Sequence, residues 1–474
     1  MIKRTKIVAT IGPSTESEKI LRSMINEGVN VFRINFSHGS HEDHIKAIKN
    51  IRKVDSELGT HTALLADLQG PKIRIGELPK KGLNLKNNQI LYLTNDAKIN
   101  KPDYVHISLN QLPKDVNEGE KILLDDGKIH LIVVHTNKKD TIKTKVLAGG
   151  VLYSRKGVNL PDTKISVSSL TKKDKEDLKI AIDQGVDWVG FSFVRSAREV
   201  IELKHHISNL NGEAKVIAKI EKPEALEDLN AIMQETDAIM VARGDLGVEV
   251  PLEKVPLIQK KVVKMARDMA KPVIIATQMM ESMMTNITPN RAEVNDVANA
   301  VMDGADAVML SGETSIGKHP VEVVKIMFRI IQEVESKFEP LYLKEALSNK
   351  NQNRFITDSI CFNVCRLATK VTAKAIVTMT HSGYTAYKIS SQRPKASIYV
   401  FSSNTKLLST LSLVWGVSTF YYNKTISTDH TIADIKHFLK EKKLVLPNDL
   451  IINTASIPLV EGGKTNMLKL SYIE

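Results

Sequence analysis

Val216-Ile217-Ala218-Lys219-Ile220-Glu221-Lys222 is a short apolar run that ends in charge. Free of Gly and Pro and rich in β-branched residues, it reads as a buried strand. Side chains alternate along a strand, so Lys219 and Glu221 share one face and Ile220 takes the other. Seven more runs have the same character, at 7–9, 31–34, 63–66, 188–191, 238–241, 273–276 and 307–310. Amphipathic helical stretches follow nearly all of them, for example at 17–27, 41–57, 197–208, 253–270 and 321–336. Eight strand–helix units predict an α/β fold, a (β/α)8 barrel of parallel strands. A doubly wound sheet is the alternative, and the count of eight favours closure.

The third unit is interrupted. From 71 to 164 the pattern changes to short strands and turns, with segments at 89–94 and 121–124 and the turn Asp125-Asp126-Gly127-Lys128. This predicts an inserted small β-barrel domain, after which a helix over 172–184 resumes the barrel. An insertion that leaves from a strand–helix loop hangs over the C-terminal mouth, where a lid belongs. A polar stretch at 341–353 then precedes strands at 375–379 and 397–401 that alternate with helices, the pattern of a small doubly wound α/β domain. The expected division is 1–70 with 165–345 as barrel, 71–164 as insert and 346–474 as C-terminal domain.

Composition narrows the function classes. The 474 residues include 42% hydrophobic and 25% charged, so a globular chain of two or three domains is expected. No apolar run is long enough to span a membrane. The segment Met1-Ile2-Lys3-Arg4-Thr5-Lys6 leads straight into a strand without the apolar core of a secretory signal, which points to the cytoplasm. The net charge of +12 is spread along helix faces, and aromatic residues make up only 5%, so no nucleic-acid partner is expected. A basic surface favours anionic small substrates instead. Cys361 and Cys365 stand four residues apart on a predicted helix and are expected to be buried thiols.

In a barrel, catalytic groups come from the C-terminal strand ends. Here six strand ends carry polar groups: Arg33 to Gly39, Asp67 with Lys72 and Arg74 beyond it, Lys219 to Lys222, Arg243-Gly244-Asp245, Thr277-Gln278, and Ser311-Gly312-Glu313-Thr314. An isolated Lys-x-Glu would as readily be a structural ion pair. Asp245 on the adjacent strand supplies a second carboxylate, and one or two carboxylates suit Mg²⁺, whose remaining positions go to water and substrate oxygens. Gly244 and Gly247 allow close backbone approach, and a helix beginning there can hold a carboxylate. Gly463-Lys464-Thr465 resembles the end of a phosphate-binding loop, but Pro458 stands where its first glycine belongs. Nucleotide phosphates would therefore fall to basic side chains such as Arg74 and Lys156.

Taken together these segments resemble pyruvate kinase. The likeness covers nearly the whole chain and rests on Thr10-Ile11-Gly12-Pro13-Ser14, Phe32-Arg33-Ile34-Asn35-Phe36-Ser37-His38-Gly39, Asp67-Leu68-Gln69-Gly70-Pro71-Lys72-Ile73-Arg74, Lys156-Gly157-Val158-Asn159-Leu160-Pro161, Lys219-Ile220-Glu221, Ala242-Arg243-Gly244-Asp245-Leu246-Gly247, Ala276-Thr277-Gln278-Met279 and Leu310-Ser311-Gly312-Glu313-Thr314. The resemblance implies transfer of phosphate from phosphoenolpyruvate to ADP, giving pyruvate and ATP. It implies Arg33 and Lys219 on the phosphoryl group, and Glu221 and Asp245 on Mg²⁺ or Mn²⁺. Gly244, Asp245 and Thr277 would hold the substrate carboxylate, and Asn35, His38, Arg74 and Lys156 would bind nucleotide. Enolate protonation would involve Thr277 with a water, or Ser311 and Glu313.

Many members also bind K⁺ near the positions of Asn35, Ser37, Asp67 and the Leu68 carbonyl, and carry Thr-Lys and Glu where this chain has Leu68-Gln69 and Lys72. The departure is like the K⁺-independent branch, in which a fixed ammonium replaces the ion. The likeness further implies a homotetramer and a sugar-phosphate effector. The effector loop would be Thr380-His381-Ser382-Gly383-Tyr384-Thr385, with the loop at 461–466 closing over it. A plain helix cap by Ser382 or Thr385 is the other reading of that junction. A barrel lyase acting on pyruvate enolate is the enzymatic alternative, but it has no use for Arg74, Lys156 or the insert. A regulatory protein on an inactive barrel is the non-enzymatic one, and the intact Lys219, Glu221, Asp245 and Thr277 argue against it.

Overall fold

The computed structural model describes residues 3–99, 101–338, 354–424, 427–457 and 463–474. Eight parallel strands close into a barrel: β1 (Lys6–Thr10), β2 (Val31–Asn35), β3 (Ala63–Asp67), β4 (Trp188–Phe191), β5 (Lys215–Ile220), β6 (Ala238–Ala242), β7 (Val273–Ala276) and β8 (Ala307–Leu310). The order β1-β8-β7-β6-β5-β4-β3-β2 runs once around and shuts on itself. Every strand is buried on both faces, which is why the runs are continuously apolar rather than alternating.

Alternation decides what fills the barrel. Val8, Val31, Leu65, Trp188 and Ile217 form one inner cluster, while Ile7, Phe32, Leu64, Val189 and Ala218 face the surrounding helices. Two residues further along, the same inward face carries Thr10, Arg33, Asp67, Gly190 and Lys219. An apolar layer is thus topped by a polar one at the C-terminal mouth.

Strand β5 is longer than the sequence suggests, so Lys219 and Ile220 lie within it and Glu221 follows directly. The surrounding helices start where the sequence provides caps. Ser40 with Asp43, and Thr171 with Asp174, form reciprocal capping boxes at His41–Leu58 and Lys172–Asp183.

Between β3 and β4 the chain builds a six-stranded sheet in the order 158–159, 121–124, 129–136, 141–148, 90–94, 104–106. Isolated bridges from Arg74 to Gly157 and from Ile75 to Ile107 bring one short segment against both of its edges. The turn at 125–127 has three consecutive left-handed residues, Asp125, Asp126 and Gly127.

The C-terminal sheet runs 417–421, 397–402, 375–379, 450–455, 467–472, with only the last pair antiparallel. Cys361 and Cys365 are buried on the helix Phe355–Lys370. This unit seals the barrel floor. Leu413 joins the inner cluster, Trp188 donates its indole N–H to the Thr410 carbonyl at 3.1 Å, and Ser409 donates to Asp187 at 2.6 Å. Among the described residues no helix is long and apolar enough to cross a membrane. The polar stretch at 341–353, Met1-Ile2, Pro458 and Glu461-Gly462 lie outside the described residues.

Candidate active site

The polar layer converges on Lys219. Its ammonium lies 3.0 Å from Glu221 Oε1 and 3.2 Å from Asp67 Oδ1, and donates to Ser192 Oγ at 2.7 Å. Arg33 Nε donates to the other Asp67 oxygen at 2.6 Å and its Nη1 to Thr10 Oγ1 at 3.1 Å. Asp67 therefore stands between two cations. Burial pushes its pKa up, but Lys219 and Arg33 outweigh burial and hold the carboxyl below the usual range. Burial likewise opposes the charge on Lys219, yet Asp67 and Glu221 overcome it and keep the ammonium protonated. Room for this cluster comes from Gly190, where a Cβ would sit 2.9 Å from Asp67 Oδ1.

Glu221 is 1% exposed. Its Oε2 accepts the Phe193 backbone N–H at 2.7 Å, and Phe193 adopts φ 56° to aim it. A bulky residue in the left-handed region is strained and persists only where its surroundings enforce it. Burial and the nearby Asp245 charge raise the Glu221 pKa despite Lys219. Glu221 Oε1 is buried and has the Lys219 ammonium, at 3.0 Å, as its neighbour. A buried carboxylate, raised in pKa by burial and by a second carboxylate nearby, is what a divalent cation would relieve. The donor set fits Mg²⁺ in particular. Among the described residues no group of three or more His, Cys, Asp or Glu converges, and Mg²⁺ asks for one or two carboxylates only.

Asp245 lies in the first turn of a short helix, Arg243–Glu249, that begins where β6 ends. Arg243 locks that turn to the next strand end, with one ion pair to Asp296 at 2.7 Å and a hydrogen bond to the Thr277 carbonyl at 2.8 Å. Thr277 and Gln278 both have positive φ, 68° and 55°. That conformation is costly for a β-branched residue and turns the Thr277 hydroxyl onto the Gly244 N–H at 2.7 Å. Glu313 is 3% exposed and accepts the N–H groups of Met280 and Ser311 at 3.1 and 2.7 Å. It braces two loops, and both of its oxygens are occupied in doing so.

The expected nucleotide residues are only partly gathered. Burial lowers the His38 pKa, and the charges of Arg74, Lys72, Arg33 and Lys173 lower it further, so a basic rim surrounds it. Asn35 Oδ1 is taken up by the Ser37 N–H at 3.1 Å. Lys156 is held inside the insert by Asp125 at 2.8 Å. Lys72 points across the mouth to Asp245 at 3.6 Å, and Leu68 contributes its carbonyl to Ser192 at 2.7 Å.

Sequence reasoning overlooked several residues. Ser192 and Phe193 follow the end of β4 and could have been found by the strand-end rule. Asp67 as counter-ion to both Arg33 and Lys219 needed the pairing of β2 with β3. Lys222 pairs with Glu249 at 2.9 Å, and Asn159 of the insert donates to the same carboxylate at 2.9 Å. This buried triad ties the insert to both carboxylate-bearing segments, and its members are distant in sequence.

At the C-terminal junction the helix Tyr384–Ser391 begins at Gly383, φ 79°, with no side-chain cap. Ser382 Oγ accepts the Tyr384 N–H only at a long 3.5 Å, and Thr385 does not cap the helix. Thr380 accepts the Gly383 N–H at 3.0 Å, and Thr385 shares a 2.7 Å hydrogen bond with Thr465. Of the loop at 461–466, Glu461 and Gly462 lie outside the described residues.

Comparisons with known proteins agree over both parts of the chain. The family description "Pyruvate kinase, barrel domain" matches residues 2–324, and "Pyruvate kinase, alpha/beta domain" matches 358–471. Pyruvate kinase 2 of Synechocystis sp. is 42% identical over 476 residues, covering 100% of this chain and 80% of that protein. The pyruvate kinase of Geobacillus stearothermophilus is 41% identical over 475 residues, covering 100% and 81%. A crystal structure of a pyruvate kinase from Cryptosporidium parvum superposes with a TM-score of 0.91 at 32% identity, covering 100% of this chain and 96% of that one.

Proposed function

Because the chain belongs to the pyruvate kinase family, and so transfers the phosphoryl group of phosphoenolpyruvate to ADP with the help of a divalent cation, we propose a role for each residue at the barrel mouth. The reaction yields pyruvate and ATP and closes glycolysis. Lys219, fixed between Asp67 and Glu221, offers its charge to the phosphoryl oxygens in the transition state. It needs no reorganisation to do so, because its carboxylate partners and Ser192 already set its direction. Arg33, aimed by Asp67 and Thr10, takes the same phosphoryl group from a second side. Glu221 and Asp245 would hold Mg²⁺, which supplies charge neutralisation on the phosphate oxygens when bound. The Gly244 and Asp245 backbone and the Thr277 hydroxyl orient the substrate carboxylate. Thr277 would also pass a proton to the enolate through a water, since Glu313 is committed to backbone N–H groups.

ADP falls to the basic rim of Arg74 with His38 and Asn35. Lys156 joins when the insert, residues 71–164, swings as a lid over the barrel of 1–70 and 165–345. Lys72, which rests 3.6 Å from Asp245, would supply charge in place of the K⁺ that the family holds near Asn35, Ser37, Asp67 and Leu68. The junction at Thr380, Ser382, Gly383 and Thr385, in the regulatory domain 346–474, binds the phosphate of a sugar-phosphate effector. A homotetramer in the cytoplasm belongs to the same proposal and is supported by the family likeness.

The observation that carries the reading is the Lys219 ammonium seated between two buried carboxylates at a strand end. ADP-dependent release of pyruvate from phosphoenolpyruvate, followed with Mg²⁺ or Mn²⁺, tests it. A folded protein without that activity would refute the assignment.

A further inference from the structure

Glu221 and Asp245 stand on separate stretches of chain. β5 and β6 pair only as far as Ile220 and Val241, so the ladder ends before either carboxylate. A buried ion pair spans the two stretches beyond that point. Lys222 keeps an extended backbone, φ −120° and ψ 147°, so its side chain leaves on the side opposite to Glu221. Glu249 follows Asp245 by four residues, one turn further along the same face of the helix Arg243–Glu249. Lys222 Nζ meets Glu249 Oε1 at 2.9 Å, with side chains 5% and 1% exposed. The neighbour of one carboxylate is thus joined to the turn that follows the other. Arg243 fixes the start of the helix, and Glu249 fixes its end.

The insert reaches the same oxygen. Asn159 Nδ2 donates to Glu249 Oε1 at 2.9 Å. Asn159 pairs with Leu123 of the strand 121–124, which runs directly into the turn at 125–127. A Cβ added to Gly127 would lie 3.4 Å from Val248 Cγ1, so that turn packs on the residue before Glu249. Lys156 is tied to Asp125 in the same turn. The part of the insert that carries the nucleotide lysine therefore rests on the last turn of the helix that carries Asp245. One oxygen serving two donors makes the two bonds interdependent, so a shift of Asn159 is felt by Lys222.

We infer that Glu249 is a positioning residue: with Lys222 it sets the spacing of Glu221 and Asp245, and through Asn159 it takes that setting from the posture of the insert. This rests on the roles proposed above for Glu221 and Asp245. Groups that orient metal ligands commonly account for tenfold or more of metal affinity. Coupling is reciprocal, so the posture of the insert tunes the affinity for the divalent cation, and the cation in turn favours one posture of the insert.

Mn²⁺ binding to the full chain, read by water-proton relaxation without substrate or nucleotide, tests the coupling. Lys222→Met combined with Glu249→Gln removes the ion pair and leaves no charge buried alone. Its Kd for Mn²⁺ should rise at least about tenfold. Asn159→Ala lies in the insert and alters neither carboxylate, yet its Kd should rise at least about twofold. Ser409→Ala loses a hydrogen bond at the barrel floor and should keep the wild-type Kd. An unchanged Kd in Asn159→Ala or in the folded double variant would overturn the assignment. So would a rise in Ser409→Ala equal to that in Asn159→Ala, which would mean general loosening. Should the double variant not fold, Asn159→Ala against Ser409→Ala decides. Glu221→Gln separates premise from consequence. If it binds Mn²⁺ as tightly as wild type, the cation lies elsewhere and both fail. If it loses Mn²⁺ while Asn159→Ala binds like wild type, only the role of Glu249 fails.

Discussion

Lys72 holds its ammonium 3.6 Å from the Asp245 carboxylate, across the mouth from the strand end that precedes it. A fixed cation in that position can do part of the work of a bound monovalent ion. Activity should therefore remain near its full value when a large organic cation replaces K⁺. Lys72→Met should lose activity and regain part of it on adding K⁺. A many-fold stimulation of the wild type by K⁺ in a coupled assay would contradict this.

Lys219→Met should lower kcat by at least about 10²–10³-fold, the range for removing one charge from a preorganised site. Its fold should persist, because Arg33 still faces Asp67 and the Phe193 N–H still faces Glu221. Mn²⁺ binding, read by water-proton relaxation, should persist as well. Turnover near that of the wild type would remove Lys219 from its assigned role.

Glu249→Ala should destabilise the protein by about 3–5 kcal/mol, since it leaves Lys222 buried and without its carboxylate. Asn159→Ala removes only the insert's hydrogen bond to the same carboxylate and should cost about 1 kcal/mol. If the triad also sets the insert's resting position, Asn159→Ala should change KM for ADP more than KM for phosphoenolpyruvate. Urea unfolding and steady-state kinetics read the two effects separately.

Burial lowers the Lys6 pKa to about 8, with Glu335 and Asp306 offsetting part of the fall. In the unfolded chain the pKa is about 10.4. Between those values the unfolded chain holds more protons, so the Lys6 contribution to stability rises with pH. Relative to Lys6→Met, the wild type should gain up to about 3 kcal/mol from pH 7 to pH 10.5. Groups remote from position 6 titrate alike in both proteins and cancel, while Lys3, whose pKa the Lys6 charge helps to lower, titrates higher in the variant. A stability difference that is flat or falls with pH would show that Lys6 is not desolvated as the structure has it.

The barrel was legible because its strands are buried on both faces and interrupted by amphipathic helices. Period and length alone separate those patterns. The pairing of Lys219 with Glu221 followed from alternation along one strand. Contacts between strands were harder. The resemblance placed Asp67 at an ion site, but its pairing with Arg33 and Lys219 was not legible, because both cations come from other parts of the chain. The strained turns at Phe193 and Thr277 left no mark either, since neither residue type favours positive φ. Lys156, which closure of the insert would bring over the mouth, rests paired with Asp125 in its own domain, a local contact that spacing cannot reveal.

The floor of the barrel has a consequence for how the molecule comes apart. Leu413 completes the inner cluster, and Trp188 and Asp187 are bound from below by Thr410 and Ser409. The column of side chains from floor to mouth is therefore shared between two stretches of chain more than 200 residues apart. A chain cut before the C-terminal unit would leave that column open to water at its base. The two units should therefore melt in a single transition in calorimetry, and a barrel cut free of the C-terminal unit should be less stable than the whole chain.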